Sequence, residues 1–161
     1  MRKSGFAPVI DKNTEILILG SLPSDISIRT GEYYANPQNQ FWKIIFAIFN
    51  NGVPVYDYNK KTNLLLKNKL GLWDVLTEAE RKGSLDSNIQ GEVLNDFIGL
   101  FKDYAKIKLL VFNGGPAFQY FMTMKAGLPQ KELVRLTSSS SANTSKSVIL
   151  KIKEWQVALK L

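Results

Sequence analysis

GSLPSDISIRTGEYYANPQNQFW, residues 20–42, is the stretch that decides the fold. An apolar run, Glu15 to Leu19, precedes it, and an amphipathic run, Phe41 to Phe49, follows it. Strand, long loop, helix is the order that puts a loop at the carboxyl edge of a sheet, where open α/β folds bind ligands. The loop is several times longer than a usual strand-to-helix connection, which marks it as functional. Its two tyrosines, two prolines and two asparagines, all but Pro23 near its end, argue for an ordered segment.

Working outward, the chain alternates between the two types of element. Residues 6–10 read as a short lead-in strand and 15–19 as a buried one, ended by Gly20. Asn36-Pro37 reads as a helix start, asparagine at the cap and proline in the first helical position. The expected helix then carries Asn39 in its first turn and ends at Asn50-Asn51-Gly52. A turn and short helix follow within 53–70, a second strand at 71–76, a polar loop at 77–91, and a helix defined by Val93, Leu94, Phe97, Ile98 and Phe101. A strand at 108–112, a helical segment at 117–125, a strand at 132–136, a serine-rich loop at 137–147 and a closing helix complete it. The alternation predicts an α/β fold, a parallel sheet covered on both faces, in a single domain over residues 1–161.

Composition excludes several chemistries. The chain has 161 residues, no cysteine and no histidine. Disulfides, iron–sulfur clusters, thiolate zinc sites and Ser-His-Asp catalysis are therefore outside its reach. The work falls to carboxylates, amides, hydroxyls, backbone groups or a lysine. No apolar run is long enough to span a membrane, and no apolar signal core follows Met1 to Gly5. The net charge of +7 suits a polyanionic partner.

Four segments converge at the strand ends if the sheet is parallel: 20–39, 74–88, 113–116 and 137–146. Gly20-Ser21-Leu22-Pro23-Ser24 allows close backbone approach to a ligand, although no GxGxxG or Walker pattern is present. Asn113, ahead of two glycines, reads either as a turn residue or as an amide that meets a nucleobase edge. Asn39 reads as a local cap or a functional amide, and Tyr33 and Tyr34 as core aromatics or a stacking platform. The hydroxyls of 138–145 ahead of a helix suit a phosphate, with Lys146 adding charge. Asp74 and Asp86 are candidate general bases, read more simply as turn or capping residues.

Together, GSLPS at 20–24, YYANPQNQFW at 33–42, LWDVL at 72–76, GSLDSNI at 83–89, FNGG at 112–115 and the loop at 137–145 resemble the hypoxanthine-DNA glycosylase branch of the uracil-DNA glycosylase superfamily. The resemblance covers roughly Phe6 to Trp155. It implies a three-layer α/β/α sandwich on a four-stranded parallel sheet, with the damaged base flipped into a pocket at the strand ends. It also implies a monofunctional reaction on DNA containing a deaminated base, with no metal, iron–sulfur cluster or other cofactor. Other branches place an aspartate or asparagine where Leu22 stands, so the resemblance assigns the catalytic role to Asn39. It implies base contacts from Ser21, Leu22, Tyr34 and Asn113, with Tyr34 stacking on the base. DNA contacts are expected from Ser24, Ser138, Ser140, Asn143 and Lys146. Thr137 and Ser141 stand where the branch usually has prolines. The expected protein is a cytoplasmic, nucleoid-associated monomer. A uracil or mismatch-specific glycosylase, an inactive DNA-binding relative, and a phosphate-binding protein acting on a small molecule are the rival readings.

Overall fold

The computed structural model describes residues 2–161. Its centre is a parallel sheet of four strands in the order β3-β2-β6-β7, with β2 at Ile16–Gly20, β3 at Leu70–Asp74, β6 at Leu109–Asn113 and β7 at Glu132–Leu136. Alternation along β2 sorts the core. Ile18 points to one face, with Phe41, Ile44, Leu65 and Trp155; Leu17 and Leu19 point to the other, with Phe97, Phe101, Ala117 and Phe121. Helices α2 (Phe41–Phe49), α3 (Tyr58–Lys67) and α6 (Val148–Ala158) cover the first face. Helices α4 (Phe97–Asp103) and α5 (Gly115–Met124) cover the second. This is the expected α/β/α sandwich.

Several elements depart from the sequence reading. The expected strand at 6–10 is absent; strand β1 lies at Arg2–Ser4, and Val9 makes only a single antiparallel bridge to Leu72. The loop after β2 contains a short helix, α1, at Asp25–Thr30, with the Ser24 hydroxyl accepting from the Ser27 N–H at its start. The expected polar loop at 77–91 holds two strands, β4 (Leu76–Arg81) and β5 (Ile89–Leu94), which form a second, antiparallel sheet in the order β1-β4-β5. Val93 and Leu94 therefore belong to β5 and not to a helix. Charged residues interrupt the apolar pattern of β4, where Leu76, Ala79 and Arg81 face inward, which hides the strand from a reading of hydropathy alone.

The helix start is also displaced. Asn36-Pro37 opens a β-turn in which the Asn39 N–H donates to the Asn36 carbonyl at 2.8 Å and the Gln38 N–H to Asn36 Oδ1 at 3.0 Å. Helix α2 begins at Phe41 with Gln40 at its cap. Asparagine followed by proline suits the first two positions of a turn as well as a helix cap, and tertiary contacts chose the turn. Asn39 thus stands ahead of the helix, outside its first turn. Among the described residues no helix is long and apolar enough to cross a membrane.

Candidate active site

The carboxyl ends of the parallel strands open into a cavity of 340 Å³, at the small end of the range for ligand pockets. All four segments expected to converge contribute to its wall: Gly20 to Ser24 after β2, Asp74 at the end of β3, Asn113 at the end of β6, and Ser138 to Ser140 after β7. Tyr34 and Asn39 close it from the loop ahead of α2.

A chain of hydrogen bonds crosses the wall. Asn113 Nδ2 donates to the Ser139 hydroxyl at 2.7 Å, and that hydroxyl donates to Asn39 Oδ1 at 2.8 Å. Asn39 Oδ1 also accepts from the Phe41 N–H at 2.9 Å. Since an N–H must meet an acceptor, this contact fixes which end of the amide is the oxygen. Both lone pairs of Oδ1 are used, which leaves the Nδ2 hydrogens of this cavity-lining residue as its remaining hydrogen-bonding capacity. Ser139 is completely buried and is held by its backbone too: its N–H donates to Asn113 Oδ1 at 2.8 Å and its carbonyl accepts from the Gln40 N–H at 2.9 Å.

Tyr34 lies in the left-handed region at φ 55°, a conformation that costs a non-glycine residue energy and that this loop imposes. Its ring is stacked on Phe41 with centroids 4.0 Å apart and planes 20° from parallel. One ring face is thus packed and the residue still lines the pocket. Burial, then the nearby Asp74 charge, raises the pKa of its hydroxyl, so it stays a neutral phenol.

Two acids face the cavity, and neither is a cap. Asp74 is 4% exposed, and burial followed by the neighbouring Asp86 charge pushes its pKa up to about 7, against a lowering influence from Arg81. Asp86 opens a single 3-10 turn at Asp86–Asn88. It accepts from the Ser21 hydroxyl at 2.7 Å and lies 3.5 Å from Arg81 Nη1. Burial raises its pKa, and the Ser21 hydrogen bond and Arg81 oppose the rise. The Arg81 guanidinium, 2% exposed, also donates to the carbonyls of Leu22, Pro23 and Gly83. It ties the loop after β2 to the loop after β4.

Chain similarity agrees with this geometry. Residues 7–159 match the family model described as the uracil DNA glycosylase superfamily. The chain belongs to the uracil DNA glycosylase superfamily. It is 42% identical over 162 residues to the hypoxanthine DNA glycosylase of Methanosarcina barkeri, covering 99% of each chain. It is 46% identical over 143 residues to the hypoxanthine DNA glycosylase of Methanosarcina acetivorans, covering 89% of each. A Methanosarcina acetivorans protein solved by solution NMR, titled there as a candidate uracil DNA glycosylase, superposes with a TM-score of 0.85 at 42% identity, over 99% of this chain and 98% of that one.

The fold of this superfamily member brings most of the expected residues to one place. Ser21, Leu22, Ser24, Tyr34, Asn39, Asn113, Ser138, Ser140 and Asn143 all line the cavity. Their states differ from the simple expectation. Leu22 is 6% exposed and packs with Leu76, Ala79 and Ile89. Ser24 caps α1; the Ser138 and Ser140 hydroxyls accept from the N–H groups of Ser140 and Ala142; Asn143 Oδ1 accepts from Ser145. Lys146 is the exception. It pairs with Glu154 and lines a separate apolar groove between β7 and α6, away from the cavity. Asn113 is less free than a base-reading amide would be, since Ser139 engages both ends of it.

Sequence reasoning passed over Arg81, did not separate Ser139 from its neighbours in the serine run, and took Asp74 as a candidate general base read more simply as a turn or capping residue. Nothing in a run of four serines says which one turns inward. Asp74 did carry a signal: a carboxylate inside the apolar run LGLWDVL is rarely buried without a role. Among the described residues, no group of three or more metal-binding side chains is gathered in one place.

Proposed function

We propose that the domain spanning residues 1–161 is a monofunctional DNA glycosylase that hydrolyses the N-glycosidic bond of a flipped deaminated base, hypoxanthine foremost, and acts as a monomer. The observation that carries this reading is the hydrogen-bonded chain Asn113–Ser139–Asn39 across a base-sized cavity walled by Tyr34. The 42–46% identity to hypoxanthine DNA glycosylases favours hypoxanthine over uracil as the first substrate.

The flipped base stacks on the pocket face of Tyr34, whose other face is already packed on Phe41. Flipping costs a few kcal/mol, less for a mispaired base, and this biases the enzyme toward deaminated sites. An amide is too weak a base to deprotonate water near neutral pH. Asn39 instead donates from Nδ2 to a water, leaving one of that oxygen's lone pairs for C1′, and its held orientation makes this a positioning effect. The C1′–N bond breaks with its electron pair departing on the base. The water oxygen forms the new bond to C1′, and the water's protons pass to the departing base and solvent. Positive charge on the sugar in the transition state is offset by the DNA phosphates, and hydrogen bonds from the pocket stabilise the departing base. Ser24, Ser138, Ser140 and Asn143 line the rim where the backbone passes.

Labelled duplexes holding one hypoxanthine, xanthine or uracil test the reading, with strand breakage after alkali scored for the wild type and Asn39→Ala. Cleavage at hypoxanthine that drops about 100-fold or more in the variant supports it. Binding without any abasic product would put a catalytically inactive DNA-binding role in its place.

A further inference from the structure

The polar wall of the cavity has one acid without a partner. Asp74 closes β3 opposite Gly20 of β2, is 4% exposed, and its Oδ2 is buried with no hydrogen-bond partner among the described residues. Three neighbouring polar side chains of the wall are engaged: Asn113 with Ser139, Asn39 with Ser139 and Phe41, Asp86 with Ser21 and Arg81. A buried carboxyl left unpaired at the wall of a pocket costs stability and persists where a ligand supplies the missing donor. A Cβ added at Gly20 would lie 2.5 Å from Asp74 Oδ1 and 3.2 Å from the Tyr34 hydroxyl. The acid therefore stands at the hydroxyl end of the stacking ring, where the edge of a base lying on that ring would fall.

Deamination changes that edge in a defined way. In adenine, ring N1 is an acceptor beside an amino group. In hypoxanthine, N1 carries a hydrogen beside a carbonyl. An ionised carboxylate only accepts, so it bonds to the N1–H of hypoxanthine and repels the N1 lone pair of adenine. Cytosine and uracil differ in the same way at N3.

We propose that Asp74 is the specificity-determining residue of this pocket, its carboxylate accepting the ring N–H that deamination of the base creates. This rests on the glycosylase reading above and names the group that separates damaged base from parent base. The charges that act on Asp74 are Asp86 from the 3-10 turn, which raises its pKa, and Arg81 from β4, which lowers it; its own charge acts on Tyr33 and Tyr34 from the loop ahead of α2 and on Tyr58 from α3. Arg81 is the cation among them. With the Asp74 carboxyl titrating near 7, base selection switches on as pH rises through neutrality. An arriving N–H favours the charged form, so ionisation and base binding reinforce each other.

The test compares wild type with Asp74→Asn on two duplexes, one holding hypoxanthine and one holding unsubstituted purine, whose N1 is a bare acceptor. Thermal unfolding confirms that the variant is folded. Excision is read as kcat/KM from pH 5.5 to 8.5, which reports the free enzyme. The wild type on hypoxanthine is expected to gain about tenfold per pH unit below neutrality and level off above it. Asp74→Asn loses that rise, falls about tenfold or more on hypoxanthine at pH 8, and equals or exceeds the wild type on the purine duplex, where its amide donates to N1. A pH rise that survives in Asp74→Asn, or an equal loss on both duplexes, overturns the proposal while leaving the glycosylase reading standing. A wild type inactive on hypoxanthine, xanthine and uracil alike overturns that reading and this inference with it.

Discussion

The Ser139 hydroxyl donates to Asn39 Oδ1 at 2.8 Å, joining two residues a hundred positions apart in the chain. The same hydroxyl accepts from Asn113. Ser139→Ala removes both bonds, while the backbone contacts of residue 139 to Asn113 and Gln40 remain. The loop should keep its path, and the cost should be that of unpaired buried polar groups, about 1–3 kcal/mol. Excision should fall about tenfold or more as Asn39 loses its fixed orientation. Single-turnover excision and urea unfolding measure the two effects; wild-type excision in this variant would show that the link does not position Asn39.

Gly20→Ala should separate fold from activity. The added methyl would sit 2.5 Å from Asp74 Oδ1 and 3.2 Å from the Tyr34 hydroxyl, inside contact distance. The side chains must move and the strand need not, so the variant should fold and lose excision. Circular dichroism with an excision assay checks this, and full activity would remove Asp74 and Tyr34 from the base pocket.

Asp74→Asn should stabilise the protein in alkaline solution. The folded-state pKa of Asp74, about 7, lies above its ordinary value of 3.8. The native state therefore holds a proton that the unfolded state releases, and stability falls as pH rises from about 4 to 7. The asparagine avoids this cost, which reaches roughly 4 kcal/mol above pH 7. Unfolding at pH 8 should show a Tm higher by several degrees in the variant, and the difference should shrink toward pH 4. An unchanged gap across that range would contradict the burial of a titrating acid.

Arg81→Lys should be costly despite keeping the charge. The guanidinium reaches three carbonyls in two loops and Asp86. An ammonium lacks that planar fork and leaves some of these groups buried and unmet. The expected loss is about 2 kcal/mol or more in stability, with a raised KM as the Leu22–Pro23 loop loosens. Thermal unfolding and steady-state kinetics read both, and a neutral substitution would mean that other contacts hold the loops.

Lys146→Ala should leave DNA affinity and its salt dependence unchanged. Lys146 is paired with Glu154 beside the β7–α6 groove and does not line the cavity. A phosphate contact would lower the slope of log affinity against log salt by about 1 when removed. Fluorescence anisotropy at several salt concentrations decides between the two.

The apolar runs at 16–19 and 109–112 announced the two central strands, because a parallel strand covered on both faces needs apolar residues at every position, whereas the edge strand at 132–136 carries Glu132 and Arg135, both exposed. The second sheet was not legible. Leu76–Arg81 carries Glu78, Glu80 and Arg81, and it is a strand because β1 and β5 pair with it on either side. Asn36-Pro37 has the chemistry of a helix cap and of a turn equally, and its neighbours resolved the ambiguity.

Alternation and composition by themselves determined the α/β order, the four converging strand ends and the absence of histidine and cysteine chemistry, since these depend on local period and residue type alone. Only the tertiary structure decided which polar groups are spent and which are free. It turned Ser139 inward to occupy both asparagines, engaged Asp86 and Arg81 in holding loops together, sent Lys146 to another surface, and left Asp74 Oδ2 at the pocket wall with no hydrogen-bond partner among the described residues. The physical reason is that a hydrogen bond needs its partner within about 3 Å, and partners a hundred residues apart are brought that close by the packing of the sheet and helices.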